Sequence, residues 1–166
     1  LLASIKQQTA ATQVYSSRYI PGEIVDLMVV NSTTLAAHPE LGKALTGAWF
    51  ETQRLMGQTS PEGQAARAKM AAAAGTTAED FDEQLRTLRS FYSPRPALAF
   101  ASSENMPQLM QRVVNFANGQ KLLGEDGNGL SRLGISFGDS LVMGNSKQIK
   151  LRFDPTFLQL ATDQQL

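Results

Sequence analysis

Two hydroxyls and two carboxylates, Ser16, Ser17, Glu23 and Asp26, lie close together in the chain and are the side chains best equipped for recognition chemistry. A serine hydroxyl donates and accepts, and a carboxylate accepts from the N–H groups of an amidine, a guanidine or urea. Tyr15 and Tyr19 offer flat faces beside them. Pro21-Gly22 builds a polar turn, and the run Ile24-Val25-Asp26-Leu27-Met28-Val29-Val30 has the β-branched content and short length of a buried strand. Asp26 sits inside that run. Buried, ionised and unpaired, it would cost several kcal/mol, so it needs a cation, backbone N–H donors or solvent at a strand end. The residues by themselves leave other readings open. Glu23 and Asp26 also suit the acid/base pair of a carboxylate-dependent enzyme, although no nucleophile stands beside them. Alternatively, the hydroxyls satisfy a turn backbone, Glu23 is solvated and Asp26 braces a loop, in a helical interaction domain without a small-molecule site.

Composition narrows the choice. A chain of 166 residues that is 42% hydrophobic is long enough for one sizeable core, so one compact domain is the default expectation. Fifteen basic residues balance fifteen acidic ones, and no Lys/Arg run is present to neutralise a row of phosphates, which argues against a nucleic-acid partner. No apolar stretch approaches the roughly 18 residues of a spanning helix, and the first residues lack a basic region followed by an apolar one. Without cysteine, thiolate nucleophiles, disulfides and Cys-based metal sites are excluded. The single histidine, His38, makes a His-based triad or zinc site improbable. The balance is against an enzyme, and no cofactor is expected.

The elements that must position these residues are mostly helical. Residues 1–8 read as the remnant of a helix or turn, and 13–17 alternate like a short strand. Asn31-Ser32-Thr33-Thr34 offers caps for a short helix at 35–37, interrupted by His38-Pro39. Over 40–56, Leu41, Ala44, Leu45, Ala48, Trp49, Leu55 and Met56 recur at helical spacing. Trp49 suits a core or packing position on that stripe better than a stacking partner for a planar ligand. Ser60-Pro61-Glu62 starts an Ala-rich helix that Gly75 ends, and Thr76 or Thr77 caps a third helix over 77–91 with a stripe of Phe81, Leu85, Leu88 and Phe91. Residues 98–101 read as an edge strand or the approach to the next element, a helix from about 104 to 117. The Gly-rich loop 124–129 lacks the oxygen spacing of a calcium site and the flanking strand and helix of a dinucleotide fingerprint, so it reads as a solvated turn. Three short apolar pieces (135–137, 141–143, 149–153) precede a last helix begun by Asp154-Pro155, and 163–166 read as a frayed tail.

Several of these features in order carry a resemblance: Ser16-Ser17, Ile20-Pro21-Gly22-Glu23-Ile24-Val25-Asp26, His38-Pro39-Glu40, Ala48-Trp49-Phe50-Glu51, then Phe116, Gly134-Ile135-Ser136-Phe137 and Leu151-Arg152-Phe153-Asp154. The chain resembles the C-terminal half of the nitrate/sulfonate/taurine-type solute-binding proteins of bacterial ABC importers, most of all the branch associated with urea and related nitrogenous solutes. That resemblance implies an α/β, helix-rich chain forming the C-terminal portion of a two-lobed periplasmic-binding-protein-like (type II) fold. Residues 1–20 would be a remnant of the second lobe and hinge, and 21–166 the C-terminal part of the first lobe with a helical extension. It further implies a small polar solute held between lobes by residues that include Ser16, Ser17, Glu23 and Asp26. The implied partners are an ABC transporter permease in the membrane and the missing N-terminal half of the same protein. The implied location is periplasmic or extracellular, free or membrane-associated. An export signal lost with that half would leave no trace here.

Overall fold

A computed structural model of the chain describes residues 5, 11–20, 22–124, 128–139 and 141–166, apart from the Arg18 side chain. The helix or turn expected over 1–8, Pro21 of the turn and the centre of the 124–129 loop therefore lie outside the described residues. The chain is a mixed α/β structure, rich in helix, with one small three-stranded sheet. It divides into two compact units, Leu1–Ser93 and Pro94–Leu166, where length alone leads one to expect a single body.

In the first unit the described elements are helical. A 3-10 turn at Ser17–Tyr19 is followed by α1 (Ser32–Ala37), α2 (Glu40–Gly57), α3 (Pro61–Ala73) and α4 (Ala78–Thr87). Local chemistry sets their ends. Asn31 Oδ1 accepts from the N–H groups of Thr33 and Thr34, Ser60 Oγ from Gly63, and Thr77 Oγ1 from Asp80. Pro61 occupies the first turn of α3, where a missing N–H costs nothing. At the other end Gly75 turns left-handed with φ +68°, and the Thr76 and Gly75 N–H groups close back on the carbonyls of Ala71 and Ala72.

Helix α2 was expected to bury the face of Leu41, Ala44, Leu45, Ala48, Trp49, Leu55 and Met56, of which Leu41, Leu45, Leu55 and Met56 are half-buried. The fully buried positions are Gly42, Thr46, Phe50 and Gln53, and Ala44, Ala48 and Trp49 are exposed. The helical period is right and the face is rotated. Helix α3 packs on α2 and buries small residues of its own, Gly63 and Ala71; a Cβ on Gly63 would lie 2.4 Å from the Gln58 carbonyl oxygen, so the connection closes tightly over the start of α3. On α4, Phe81 and Leu85 are half-buried, but the helix stops at Thr87 and Leu88 is exposed, so the expected stripe over 77–91 ends early.

The second unit holds α5 (Pro94–Ala101), α6 (Asn105–Gly119), a short α7 (Gly129–Arg132), the strands β1 (Gly134–Phe137), β2 (Leu141–Gly144) and β3 (Ile149–Phe153), and α8 (Thr156–Thr162). Residues 98–101, read as an edge strand or an approach, belong to helix α5, which packs on α8. Sheet order is β2-β1-β3, with β2 antiparallel and β3 parallel to the central strand. Burial follows that order. All of β1 up to Ser136 is buried, whereas β3 alternates half-buried Ile149, Leu151 and Phe153 with exposed Lys150 and Arg152. Phe137 and Phe153, partners in register, stack with centroids 5.1 Å apart. Gly144 is required where it stands: at φ +78° an added Cβ would lie 2.5 Å from the Leu133 carbonyl oxygen. The Asp154 carboxylate accepts from the Thr156 N–H and so starts α8. Met106, Leu109, Val114 and Ile135 make up the apolar core of this unit.

Candidate functional site

Between residues 16 and 23 the backbone closes on itself three times. The Tyr19 N–H donates to the Ser16 carbonyl at 3.0 Å, the Ile20 N–H to the Ser17 carbonyl at 3.0 Å, and the Glu23 N–H to the Ile20 carbonyl at 3.2 Å. Gly22, at φ +85°, lets the last of these turns form. Ser16, Ser17 and Glu23 therefore share one hydrogen-bonded turn, with Ser16 and Glu23 half-buried and Ser17 exposed. The Tyr15 and Tyr19 rings pack against each other across it, centroids 5.8 Å apart and tilted by 39°. The turn thus presents hydroxyls, a carboxylate and an aromatic pair on a short stretch of chain. Asp26 stands outside it, on the arm that follows, exposed and without a cation or hydrogen-bond donor among the described residues.

That arm corrects two expectations. Residues 13–16 are irregular and lead into the 3-10 turn instead of forming a short strand. Residues 25–30 have no regular secondary structure where a buried strand was expected, and Ile24, Leu27, Met28 and Val29 are exposed. The physical reason is that a strand is completed by its neighbour. Backbone N–H and C=O groups pair across a ladder, and β-propensity expresses packing on a pleated surface, not an intrinsic preference of the chain. Among the described residues no neighbour pairs with this segment, and its carboxylate avoids the cost of burial by staying in water.

A second constellation lies at the junction of α2, α3 and α4, and sequence reading missed it. A groove of about 230 Å³ is lined by the α2–α3 connection, by Arg67, by Asp82, Leu85 and Arg86 of α4, and by Tyr92. Arg67 Nε donates to Asp82 Oδ1 at 2.7 Å, and Nη1 donates to the carbonyls of Met56 at 3.1 Å and Gln58 at 2.5 Å. One guanidinium therefore ties the end of α2 and its following loop to α4 through α3. A planar fork with several donors does this where a lysine would not. The geometry is that of a staple: three acceptors already engage the cation, and the nearby Arg86 is held by Glu83 at 2.7 Å on the exposed face. A signal was present in the spacing, since Arg67 stands four residues from each of the buried Gly63 and Ala71 and so shares their face. Nearby in sequence, Gln53 is buried with its Oε1 unpaired, a cost the seam carries.

Elsewhere on the surface of the first unit, Arg54 donates to both Glu51 oxygens, at 3.0 and 2.7 Å. That hydrogen bond holds the Glu51 carboxyl below its ordinary pKa and raises that of Arg54. Among the described residues, no group of three His, Asp or Glu side chains is arranged to hold a metal ion, and no helix is long and apolar enough to cross a membrane. No family model, no curated protein and no solved structure matches the chain.

Proposed function

We propose that the chain is part of an extracytoplasmic solute-binding component of an ABC transporter, which captures a small polar ligand and delivers it to a membrane permease. The ligand class is nitrogenous and urea- or guanidine-like, or else nitrate or a sulfonate. The observation that carries the reading is the turn at 16–23, which holds Ser16, Ser17 and Glu23 together beside the Tyr15–Tyr19 pair, with the exposed Asp26 following. Such a turn supplies both signs of hydrogen-bonding group and a flat apolar surface to a planar, N–H-rich molecule. The resemblance in sequence adds the rest of the proposal. The chain is the C-terminal portion of a two-lobed type II fold; residues 1–20 descend from the second lobe and hinge, and 21–166 belong to the first lobe. The other wall of the cleft comes from an N-terminal half, in a protein at work in the periplasm or outside the cell.

An open half-cleft leaves one face of a ligand in water, so each hydrogen bond competes with solvent and closure contributes nothing. Calorimetry with urea, guanidinium, nitrate and taurine tests this on the 166-residue chain and on the two-lobed protein. The chain alone should bind weakly, the two-lobed protein tightly to one of these solutes, and Asp26→Ala in the latter should weaken that binding. Tight stoichiometric binding by the 166-residue monomer, or no binding by either form, defeats the proposal.

A further inference from the structure

The Arg67 staple leaves part of its chemistry unused. Of the five N–H donors of a guanidinium, three are engaged: Nε donates to Asp82 Oδ1, and Nη1 to the carbonyls of Met56 and Gln58. The two N–H groups of Nη2 have no partner among the described residues, and neither has the second carboxylate oxygen, Asp82 Oδ2. Neither group is sealed off. The one buried side-chain atom without a partner among the described residues is Gln53 Oε1, so Nη2 and Oδ2 meet solvent along the groove that Arg67 and Asp82 line. An unengaged donor and an unengaged acceptor thus flank one ion pair, whose Nε–Oδ1 distance is 2.7 Å. Arg86, on the same groove, gives Nη1 to Glu83 and keeps Nε and Nη2 without a partner among the described residues. The remaining wall is apolar and aromatic: Met56, Leu85 and the Tyr92 ring, which comes so close to Gly57 that an added Cβ there would stand 2.9 Å from Cγ and Cδ1.

We propose that this groove binds a free α-amino acid with an apolar side chain. The ligand carboxylate accepts from Arg67 Nη2 and from Arg86, its ammonium donates to Asp82 Oδ2, and its side chain lies against Met56, Leu85 and Tyr92. Charge selects this class over simpler ions. Each cation of the groove is matched by a carboxylate, Arg67 by Asp82 and Arg86 by Glu83, so the site is neutral and suits a zwitterion. A free anion such as sulfate would gain the same donors but stand uncompensated beside the Asp82 charge, and a simple amine would face two arginines and leave Nη2 unused. A neutral carboxamide offers an acceptor and a donor too, but each bond then has one ionised partner instead of two. Size narrows the class further. A volume of about 230 Å³ lies below the roughly 300–1,000 Å³ of sites for drug-sized ligands, so the groove holds one small metabolite and not a peptide. None of Ser16, Ser17, Glu23 or Asp26 takes part, and every wall belongs to the first unit, so the site does not depend on the transport reading.

Nitrogen-15 NMR on the 166-residue chain tests the proposal, with the Arg67 Nε–H and the amides of Gly57 and Gln58 as reporters. Leucine, methionine or phenylalanine should shift these signals saturably, with half-saturation at or below ~1 mM. Isocaproate, which is leucine without its ammonium, and isoamylamine, which is leucine without its carboxylate, should each bind at least ~10-fold more weakly, the change expected for loss of a charge-assisted bond. Arg86→Gln alters a side chain 73% exposed and outside the staple, so it should leave the thermal midpoint nearly unchanged while weakening leucine binding ~10-fold. Asp82→Asn should weaken it as much. No saturable shift at ~10 mM leucine, methionine or phenylalanine overturns the proposal. Leucine binding that survives both substitutions places the ligand elsewhere and overturns it equally. Sulfate or isovaleramide binding as tightly as leucine would show a site for anions or amides and not for amino acids.

Discussion

Arg67→Met removes the guanidinium and retains much of the aliphatic bulk, so its effect isolates the staple at the junction of α2, α3 and α4. The Arg67 side chain is 14% exposed and Asp82 39%. Three bonds are lost, two to the carbonyls of Met56 and Gln58 and one to the carboxylate. Bonds to a charged group contribute about 1.5–3 kcal/mol each when considered singly. They share one donor group and are not additive, and both the part-exposed carboxylate and carbonyls at a groove open to solvent regain water when the arginine leaves. The expected loss is therefore about 2–4 kcal/mol. Asp82→Asn, which spares the two carbonyl bonds, should cost about 1 kcal/mol. Urea unfolding followed by the fluorescence of Trp49 is the assay, because the only tryptophan of the chain lies in α2 of the first unit. At an m-value of about 2 kcal/mol/M, a loss of 3 kcal/mol lowers the midpoint by about 1.5 M. A midpoint within ~0.3 M of the parent would show that the guanidinium, though well placed, holds nothing together.

Three further outcomes follow from burial and charge. Leu109→Ala, at a position 4% exposed, should cost about 2–5 kcal/mol, while Leu88→Ala, at 56% exposed, should stay within about 0.5 kcal/mol; thermal unfolding by circular dichroism compares them, and equal losses would overturn the assignment of faces. Gln53→Met removes the unpaired buried oxygen at nearly constant volume and should stabilise the first unit by about 1 kcal/mol in the same urea assay; a less stable variant would refute the accounting. The Glu51 carboxyl, held below its ordinary pKa by the Arg54 hydrogen bond, contributes stability that is present above its unfolded-state value and lost as pH falls through the lower folded one. Its carbon-13 titration midpoint should rise on Arg54→Ala, and an unchanged midpoint would remove the bond as the cause.

What the sequence made legible was whatever is decided locally. Ser60, Thr77 and Asp154 were readable as helix starts, and Asn31 as one of four candidate caps for a helix that begins at Ser32 and not at Leu35, because a side-chain oxygen and an N–H two or three residues on are all the interaction needs. Gly75 was readable as a stop for the same reason. Residues whose placement depends on distant partners were not. Trp49 looked like core because it stands on the apolar stripe of α2, but the positions that α2 buries are Gly42, Thr46, Phe50 and Gln53, and which face of a helix is covered is decided by its neighbours. Arg67 was lost in an alanine-rich run, since its acceptors are a carboxylate fifteen residues away and two carbonyls of another helix's end. In the candidate site, the turn character around Gly22 was legible, whereas the strand expected over 24–30 was not formed, because a ladder is a property of two segments.

Asp26 lies on the arm that follows the hydrogen-bonded turn at 16–23. In the structure described, its carboxylate is exposed and so costs nothing. Covering Ile24, Leu27, Met28 and Val29 would remove apolar area from water at roughly 25 cal/mol per Å², a gain of several kcal/mol, but the same step would carry Asp26 out of water at a cost of similar size unless a donor met it. Burial of the arm and pairing of Asp26 are therefore one event. If the donor is a cation on the covering surface, the arm is buried without solute and Asp26 is structural. If it is the N–H edge of the solute itself, docking and binding stabilise each other, and by linkage each strengthens the other by the same factor. Amide protection of 25–30 measured with and without solute separates the two, because only the second arrangement makes protection rise with occupancy.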